Sequence, residues 1–239
     1  MRCVTEREFE DRVAIVIGAS SGIGLSVATS LASQGAKVIM FARSHDRLDE
    51  ICRSHPGRMI AVSGDATRPE DIDRLFSETE SSFGPCELLV NSAGTIHPQR
   101  AEEMSLEDWD AQFAINIRGV FIACKRAIPA MAVAGRGSIV NVASISGVPG
   151  PQKFPGFAAY CASKAAVISF TECLAVEVKD RGIRVNCVSP GSVDTPLLRQ
   201  ASETLHPDMS PDEVAGAILF LLSDRSRPVN GQNLHVFSS

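Results

Sequence analysis

A phenol and an ammonium one helical turn apart can move a proton, and residues 160–164 offer that pair. Tyr160 is the only tyrosine of the chain and stands four residues before Lys164, in Tyr160-Cys161-Ala162-Ser163-Lys164. On a helix this spacing puts both side chains on one face. A phenol ionises near pH 10, too high for acid–base work at neutrality; a neighbouring ammonium favours the phenolate and lowers that value. The chain has five lysines, so composition alone seldom puts one at this place. The bland alternative is an ordinary amphipathic helix face.

A second chemistry is written near the start. Gly18-Ala19-Ser20-Ser21-Gly22-Ile23-Gly24 follows a β-branched apolar run and opens a helical pattern that continues to Gln34. Glycines let a backbone approach a pyrophosphate closely, and the helix start behind them offers unpaired N–H groups and a positive dipole end. A glycine turn alone is weak evidence. Between a first strand and a helix it predicts dinucleotide binding. About twenty residues on, a carboxylate that would bind a ribose 2′-hydroxyl is missing: the second strand ends Phe41-Ala42-Arg43-Ser44, with no acid before Asp46. Arg43 can instead fork onto a phosphate, so NADP(H) is favoured over NAD(H). A solvated surface arginine is the alternative.

These groups need elements to hold them. Seven short apolar runs read as strands: Val13–Gly18, Ala36–Phe41, Met59–Ser63, Leu88–Asn91, Ser138–Val142, Ile183–Ser189 and Asn233–Val236. Most are continuously apolar, as strands covered on both faces are. Helical stretches fill the gaps. Thr67-x-x-Glu70, Ser105-x-x-Asp108 and Ser210-Pro211-Asp212-Glu213 resemble helix starts. The alternation predicts an α/β fold, a single doubly wound Rossmann-type domain over residues 1–239. Its seven-stranded, mostly parallel sheet would carry helices on both faces.

Composition excludes several classes. The 239 residues are 44% hydrophobic and 21% charged with a formal net charge of −5, so a core can form and no nucleic-acid footprint shows. The seven cysteines are scattered singly, which predicts small buried hydrophobes in a reducing compartment, not a disulfide framework or zinc site. The five histidines share no metal-ligand spacing, so no metal is expected. Residues 1–12 alternate charges without an apolar core, unlike a signal peptide, and no apolar run reaches membrane-spanning length. A cytoplasmic protein is expected.

Four separated motifs occur in one order: the Gly18–Gly24 loop, Asn91-Ser92-Ala93-Gly94, the Tyr160/Lys164 pair, and Ser189-Pro190-Gly191-Ser192-Val193-Asp194-Thr195. Together they resemble the short-chain dehydrogenase/reductase family over essentially the whole chain. The resemblance implies hydride exchange between a nicotinamide and a carbonyl or secondary-alcohol carbon, with Tyr160 moving the proton. Lys164 would hold the nicotinamide ribose and lower the tyrosine pKa. The serine holding the substrate oxygen matches Ser144 in Asn141-Val142-Ala143-Ser144-Ile145-Ser146-Gly147, with Ser146 the runner-up. Asn116 matches the asparagine of a water-mediated proton relay. For the cofactor the resemblance implies Gly18, Ser20, Ser21, Gly22, Ile23 and Gly24 at the phosphates, and Arg43 and Ser44 at the adenosine ribose. Asp65 and Ala66 would lie at the adenine, and Asn91, Ala93 and Gly94 along its ribose. Pro190, Gly191, Val193 and Thr195 would lie at the nicotinamide.

The chain also departs from the family pattern. Ile17 stands where threonine is usual and Ser92 where a second asparagine is common, so the usual hydroxyl tie between the two loops has no obvious donor. Between Ser144 and Tyr160 the gap is about three residues longer than common and holds Pro149, Pro151 and Pro155. The substrate lid is confined to Leu197–Met209. Relatives pair the helices around Phe113–Met131 and Ala158–Val178, which implies a homodimer or homotetramer. Trp109 reads as packing. Within the family, 3-oxoacyl-carrier-protein reductases are one possible substrate class, though they often carry a basic residue near Gly135. Outside it stand a catalytically silent dinucleotide-binding regulator, which has no need of an acid–base set, and a methyltransferase, which has no need of the tyrosine–lysine pair.

Overall fold

Strands apolar on both faces must be covered on both, and the chain does this with one sheet. The structure, a computed structural model, describes residues 8–151, 153–202 and 204–237. The strands are β1 (Val13–Ile17), β2 (Lys37–Ala42), β3 (Met59–Ser63), β4 (Leu88–Asn91), β5 (Gly137–Val142), β6 (Ile183–Pro190) and β7 (Asn233–Val236). They line up in the order β3-β2-β1-β4-β5-β6-β7, each neighbouring pair parallel. The order reverses between β1 and β4, and in such sheets the crevice beyond the strand ends at that point receives ligands.

Alternate residues divide the core in two. Ala14, Val16, Val38, Met40, Val90 and Val188 face one layer with helices α1 (Gly22–Ser33), α2 (His45–Cys52) and α8 (Pro211–Leu222). Ile15, Ile17, Ile39, Phe41, Leu89 and Val185 face the other. That layer holds α3 (Pro69–Ser82), α5 (Gly119–Ala134) and α6 (Ala158–Val178). Two shorter helices, α4 (Leu106–Phe113) and α7 (Pro196–Ala201), flank the strand ends.

Two of the three expected helix starts are built as read. Ser105 accepts from Asp108 N, and Ser210 with Glu213 forms a complete capping box ahead of α8. Thr67 does not cap α3. Its N–H and hydroxyl both go to Asp65 Oδ1 at 2.8 Å, and the helix begins two residues later behind Arg68. A short acidic side chain upstream outcompeted the helix for these donors.

The cysteines divide less simply than expected. Cys86, Cys124 and Cys187 are buried, Cys52 and Cys161 half-buried, and Cys173 is exposed; Cys3 lies outside the described residues. No helix among the described residues is long and apolar enough to cross a membrane.

Candidate active site

Most of the candidate side chains line one cleft of about 570 Å³ at the carboxyl ends of the strands. Its first wall is the loop between β1 and α1. Gly18 turns there at φ +85°, and a Cβ on it would lie 2.5 Å from Ala93 N. The close approach of two backbones thus replaces the missing threonine hydroxyl. Ser92 N donates to Ile17 O at 2.9 Å, tying the same loops. Ser21, the N-cap of α1, makes no side-chain cap, and the first turn holds no acid, so the helix start presents its own N–H groups to the loop.

Gly18, Ser20, Ser21, Gly22, Ile23, Arg43, Ser44, Asp65, Ala66, Ala93 and Gly94 line the half nearest the glycine loop; Pro190, Gly191, Val193 and Thr195 line the far wall. Thr195 caps α7 through Leu198 N, and its methyl packs where a Cβ on Gly22 would fall, 2.9 Å away. Three expected residues stand behind the wall instead. Gly24 lets α1 pack against the Gly18 carbonyl. Asn91 turns inward: its Nδ2 donates to Asn141 Oδ1 at 2.8 Å, so its side chain joins β4 to β5. Asn116 is likewise fully buried.

Asn116 sits in a π-helical stretch, Ala114–Arg118, between α4 and α5. Such bulges re-aim a helix locally and recur at functional sites. Its Oδ1 accepts from Thr95 N at 2.8 Å; its Nδ2 donates to Thr95 O at 3.0 Å and Ser163 Oγ at 2.9 Å. The side chain is thereby committed to holding the loop after β4 against α6, and nothing of it is turned toward the cleft. Gly94 lies where a Cβ would come within 3.3 Å of Lys164 Nζ and 3.4 Å of Asn116 Oδ1.

Tyr160 and Lys164 share one face of α6, as their spacing required, and both are buried. Lys164 Nζ lies 5.8 Å from the Tyr160 ring centroid and donates to Val142 O at 2.9 Å. Burial governs both groups. It pushes the Tyr160 phenol up to about 12, against the opposing hydrogen bond from Ser144. It brings the Lys164 ammonium down to about 8, with the Cys187 thiol acting the other way. The expected lowering of the phenol by the lysine does not emerge: burial disfavours the phenolate, and Lys164 is not among the groups that shift it. Ser144, not Ser146, has its hydroxyl on the phenol; Ser144 also accepts from Ser146 N at 3.1 Å.

The lysine shift has a consequence for stability. Below about pH 8 Lys164 is charged in the folded and unfolded chain alike, and the folded state carries the whole burial cost. Between there and 10.5 only the unfolded chain holds the proton, so stability rises with pH. Lys164→Met should therefore stabilise the protein at pH 7, by an amount on the order of 3 kcal/mol at most. The lost bond to Val142 O reduces this by about 1 kcal/mol. Urea unfolding of both proteins at pH 7 and pH 10 tests this: the gap should narrow at the higher pH. A variant less stable than the parent at pH 7 contradicts it.

Sequence reading did not single out the side chains at the other end of the cleft. Ile96, Phe154, Phe157, Leu197, Ala201 and Leu205 surround Tyr160 there as an apolar cluster. No motif marks them. The proline-rich stretch pointed to Phe154 and Phe157 and the lid interval Leu197–Met209 to Leu197, Ala201 and Leu205, but nothing pointed to Ile96. Sequence reading also missed Arg47, in the first turn of α2, whose Nε donates to Ser20 O at 2.6 Å and so brings a second guanidinium to the glycine loop.

Residues 12–206 match the family model described as short chain dehydrogenase. The chain belongs to the short-chain dehydrogenase family. It is 36% identical to a cyclohexanol dehydrogenase of Acinetobacter sp., over 97% of this chain and 95% of that protein. It is 35% identical to an NAD-dependent glycerol dehydrogenase of Listeria innocua, over 94% and 91% respectively. In structure it resembles a 3-ketoacyl-(acyl-carrier-protein) reductase from Brucella melitensis complexed with NADH. The TM-score is 0.89 and the identity 32%, over 95% of this chain and 97% of that one. As a member of the short-chain dehydrogenases the protein is an oxidoreductase acting on alcohol- or ketone-type substrates.

Proposed function

We propose that the protein interconverts a carbonyl compound and a secondary alcohol with NADP(H), using Tyr160 as the proton donor in reduction and the acceptor in oxidation. The observation that carries this reading is the buried phenol in the cleft, hydrogen-bonded to Ser144 and one helical turn from Lys164. Ser144 and Tyr160 together would hold the substrate oxygen by two hydrogen bonds. As that oxygen gains charge in reduction, the phenol passes it a proton, and the nearby ammonium, charged below about pH 8, stabilises the phenolate left behind. Asn116 acts by position, fixing the loop behind Gly94 and the α6 helix that carries both groups.

The cleft suits a nicotinamide dinucleotide because the glycine loop leaves no room for a Cβ at Gly18 and the start of α1 offers uncapped N–H groups. Gly18 to Gly24 would hold the pyrophosphate, Asp65 and Ala66 the adenine, and Pro190 to Thr195 with Lys164 the nicotinamide end. When bound, that group supplies or accepts the hydride.

The preference for NADP(H) is supported by the end of β2. No carboxylate stands there, Arg43 lines the cleft, and Arg47 lies beside Ser20. A 2′-phosphate would thus meet guanidinium groups and no acid. Arg43→Asp should lower the NADPH-to-NADH ratio of kcat/KM by at least about 30-fold, since it removes a cation and adds a repelling charge. Initial rates with each nucleotide read this out, and a ratio unchanged or raised would reject the assignment.

Pairing into dimers or tetramers belongs to the same reading. Phe121, Val133 and Val176 leave apolar side chains exposed along α5 and α6, the two helices that relatives pair. A cytoplasmic setting suits the six described cysteines, all free thiols.

A further inference from the structure

The long segment between Ser144 and Tyr160 builds the substrate wall. Lys153 lays its ammonium across two main-chain carbonyls, Ser146 O and Val148 O, each at 2.6 Å. On the far side Gly156 O accepts from Gln99 N at 2.9 Å. Gly156 stands at φ +84°, where a Cβ would lie 3.3 Å from Gln99 N, so the chain can turn that closely only with glycine. Between these two anchors Phe154 lines the cleft, its ring centroid 5.6 Å from that of Phe157. Phe157 meets the Tyr160 ring edge-on at 6.3 Å. Ile96, Leu197, Ala201 and Leu205 complete the enclosure. Gln200, from the same short helix as Leu197, spends its Nε2 on Ile96 O at 3.1 Å.

Charge is distributed unevenly along the cleft. Among the described residues its charged side chains are Arg43, Asp65 and Lys164. The first two stand at the nucleotide end and the third beneath Tyr160, so the enclosure around Phe154 has none. A carboxylate or phosphate brought there would lose its water without gaining an ionic partner, and the hydroxyls of a polyol would trade water for a surface that is apolar at Ile96, Phe154, Phe157, Leu197, Ala201 and Leu205. Hydrocarbon flanking the carbonyl gains instead, by about fourfold in affinity for each methylene buried.

Building on the oxidoreductase reading above, we propose that the substrate is a neutral ketone or secondary alcohol whose reacting carbon is flanked by hydrocarbon. In this assignment Phe154 sets its size limit and Lys153 is the positioning residue that holds Phe154 in place. The size limit follows from the double anchoring: a wall pinned at Ser146, Val148 and Gly156 cannot move aside for a larger ring.

The test uses four carbonyl probes: cyclohexanone, the bulkier tetralone, the polyol-like dihydroxyacetone and the anionic levulinate. Each is measured by initial rate and by calorimetric binding to the enzyme–nucleotide complex. Cyclohexanone should exceed levulinate and dihydroxyacetone at least tenfold in kcat/KM and in affinity. Phe154→Ala should raise the tetralone-to-cyclohexanone ratio of kcat/KM at least tenfold, mainly through KM, with nucleotide affinity unchanged. Lys153→Met should move the ratio the same way by a smaller factor, and Lys153→Arg should restore it. Levulinate or dihydroxyacetone matching cyclohexanone, a ratio unmoved by Phe154→Ala, or no binding of any probe overturns the proposal. Binding in the expected order with no reduction of any probe would overturn the oxidoreductase reading and leave the substrate class supported.

Discussion

Tyr160→Phe should remove carbonyl reduction by a factor of about 10³ or more while leaving nucleotide affinity within about twofold. The substitution deletes one oxygen and keeps the ring that packs edge-on against Phe157. The phenol is buried and its pKa is held up near 12, so at neutral pH it is fully protonated and competent as a donor. No other described side chain in contact with Ser144 can take its place: the hydroxyl of Ser144 is itself a far weaker acid, and Lys164 is turned to Val142 O. Stability should change by less than about 1 kcal/mol, since a hydrogen bond to Ser144 is lost and the burial cost of a hydroxyl goes with it. Ser144 keeps its bond from Ser146 N. Single-turnover reduction with nucleotide prebound separates chemistry from binding. Turnover at the parent rate would rule out Tyr160 as the donor. The reverse reaction should show the matching sign: oxidation needs the phenolate, so its rate should climb as pH rises through the alkaline range.

A single methyl group added at Gly24 should be nearly as damaging by a different route. Its Cβ would fall inside van der Waals contact of Gly18 O and 2.9 Å from Gly18 C, with Ala19 Cα at 3.3 Å. All three are backbone atoms, so no flexible side-chain end can swing away. Relief requires the first turn of α1 to move off the loop that it supports. Gly24→Ala should therefore weaken nucleotide binding at least about 100-fold and cost about 1–3 kcal/mol of stability. Gly216→Ala in α8 is the matched control. A Cβ there meets nothing within 4 Å, and the same change should stabilise by up to about 1 kcal/mol through helix propensity. Titration of reduced nucleotide by its own fluorescence, with thermal unfolding beside it, measures both. Equal effects of the two substitutions would show that close packing at Gly24 is not what the loop depends on.

Much of this protein follows from local sequence. Apolar runs marked all seven strands to within a residue or two, most plainly the inner ones, because a strand buried on both faces leaves a signal that no neighbour can hide; the edge strand β7, Asn233–Val236, has no buried residue. The helix starts at Ser105 and Ser210 were legible for the same reason: cap and N3 residue lie three positions apart and need nothing else. Thr67 shows the limit of that logic, since Asp65 lay close enough to compete for its donors. The glycine loop and the Tyr160/Lys164 pair were likewise fixed by spacing on a single element.

Tertiary structure decided what depends on partners distant in sequence. Asn91 could have faced the cleft or the core, and Asn141, fifty residues away, took it inward. Asn116 became a clamp on Thr95 because a π-helical turn aimed it there. Only the fold brought Arg47 to the glycine loop, and only Lys153 and Gln99, reaching carbonyls from opposite sides, turned a proline-rich stretch into a wall. The Tyr160/Lys164 pair shows the strongest effect of the fold. Spacing put Tyr160 and Lys164 on one face, yet burial, which no local pattern encodes, raised the phenol and lowered the ammonium. Proximity along a helix is a local property, whereas the dielectric around a charge is set by everything folded over it.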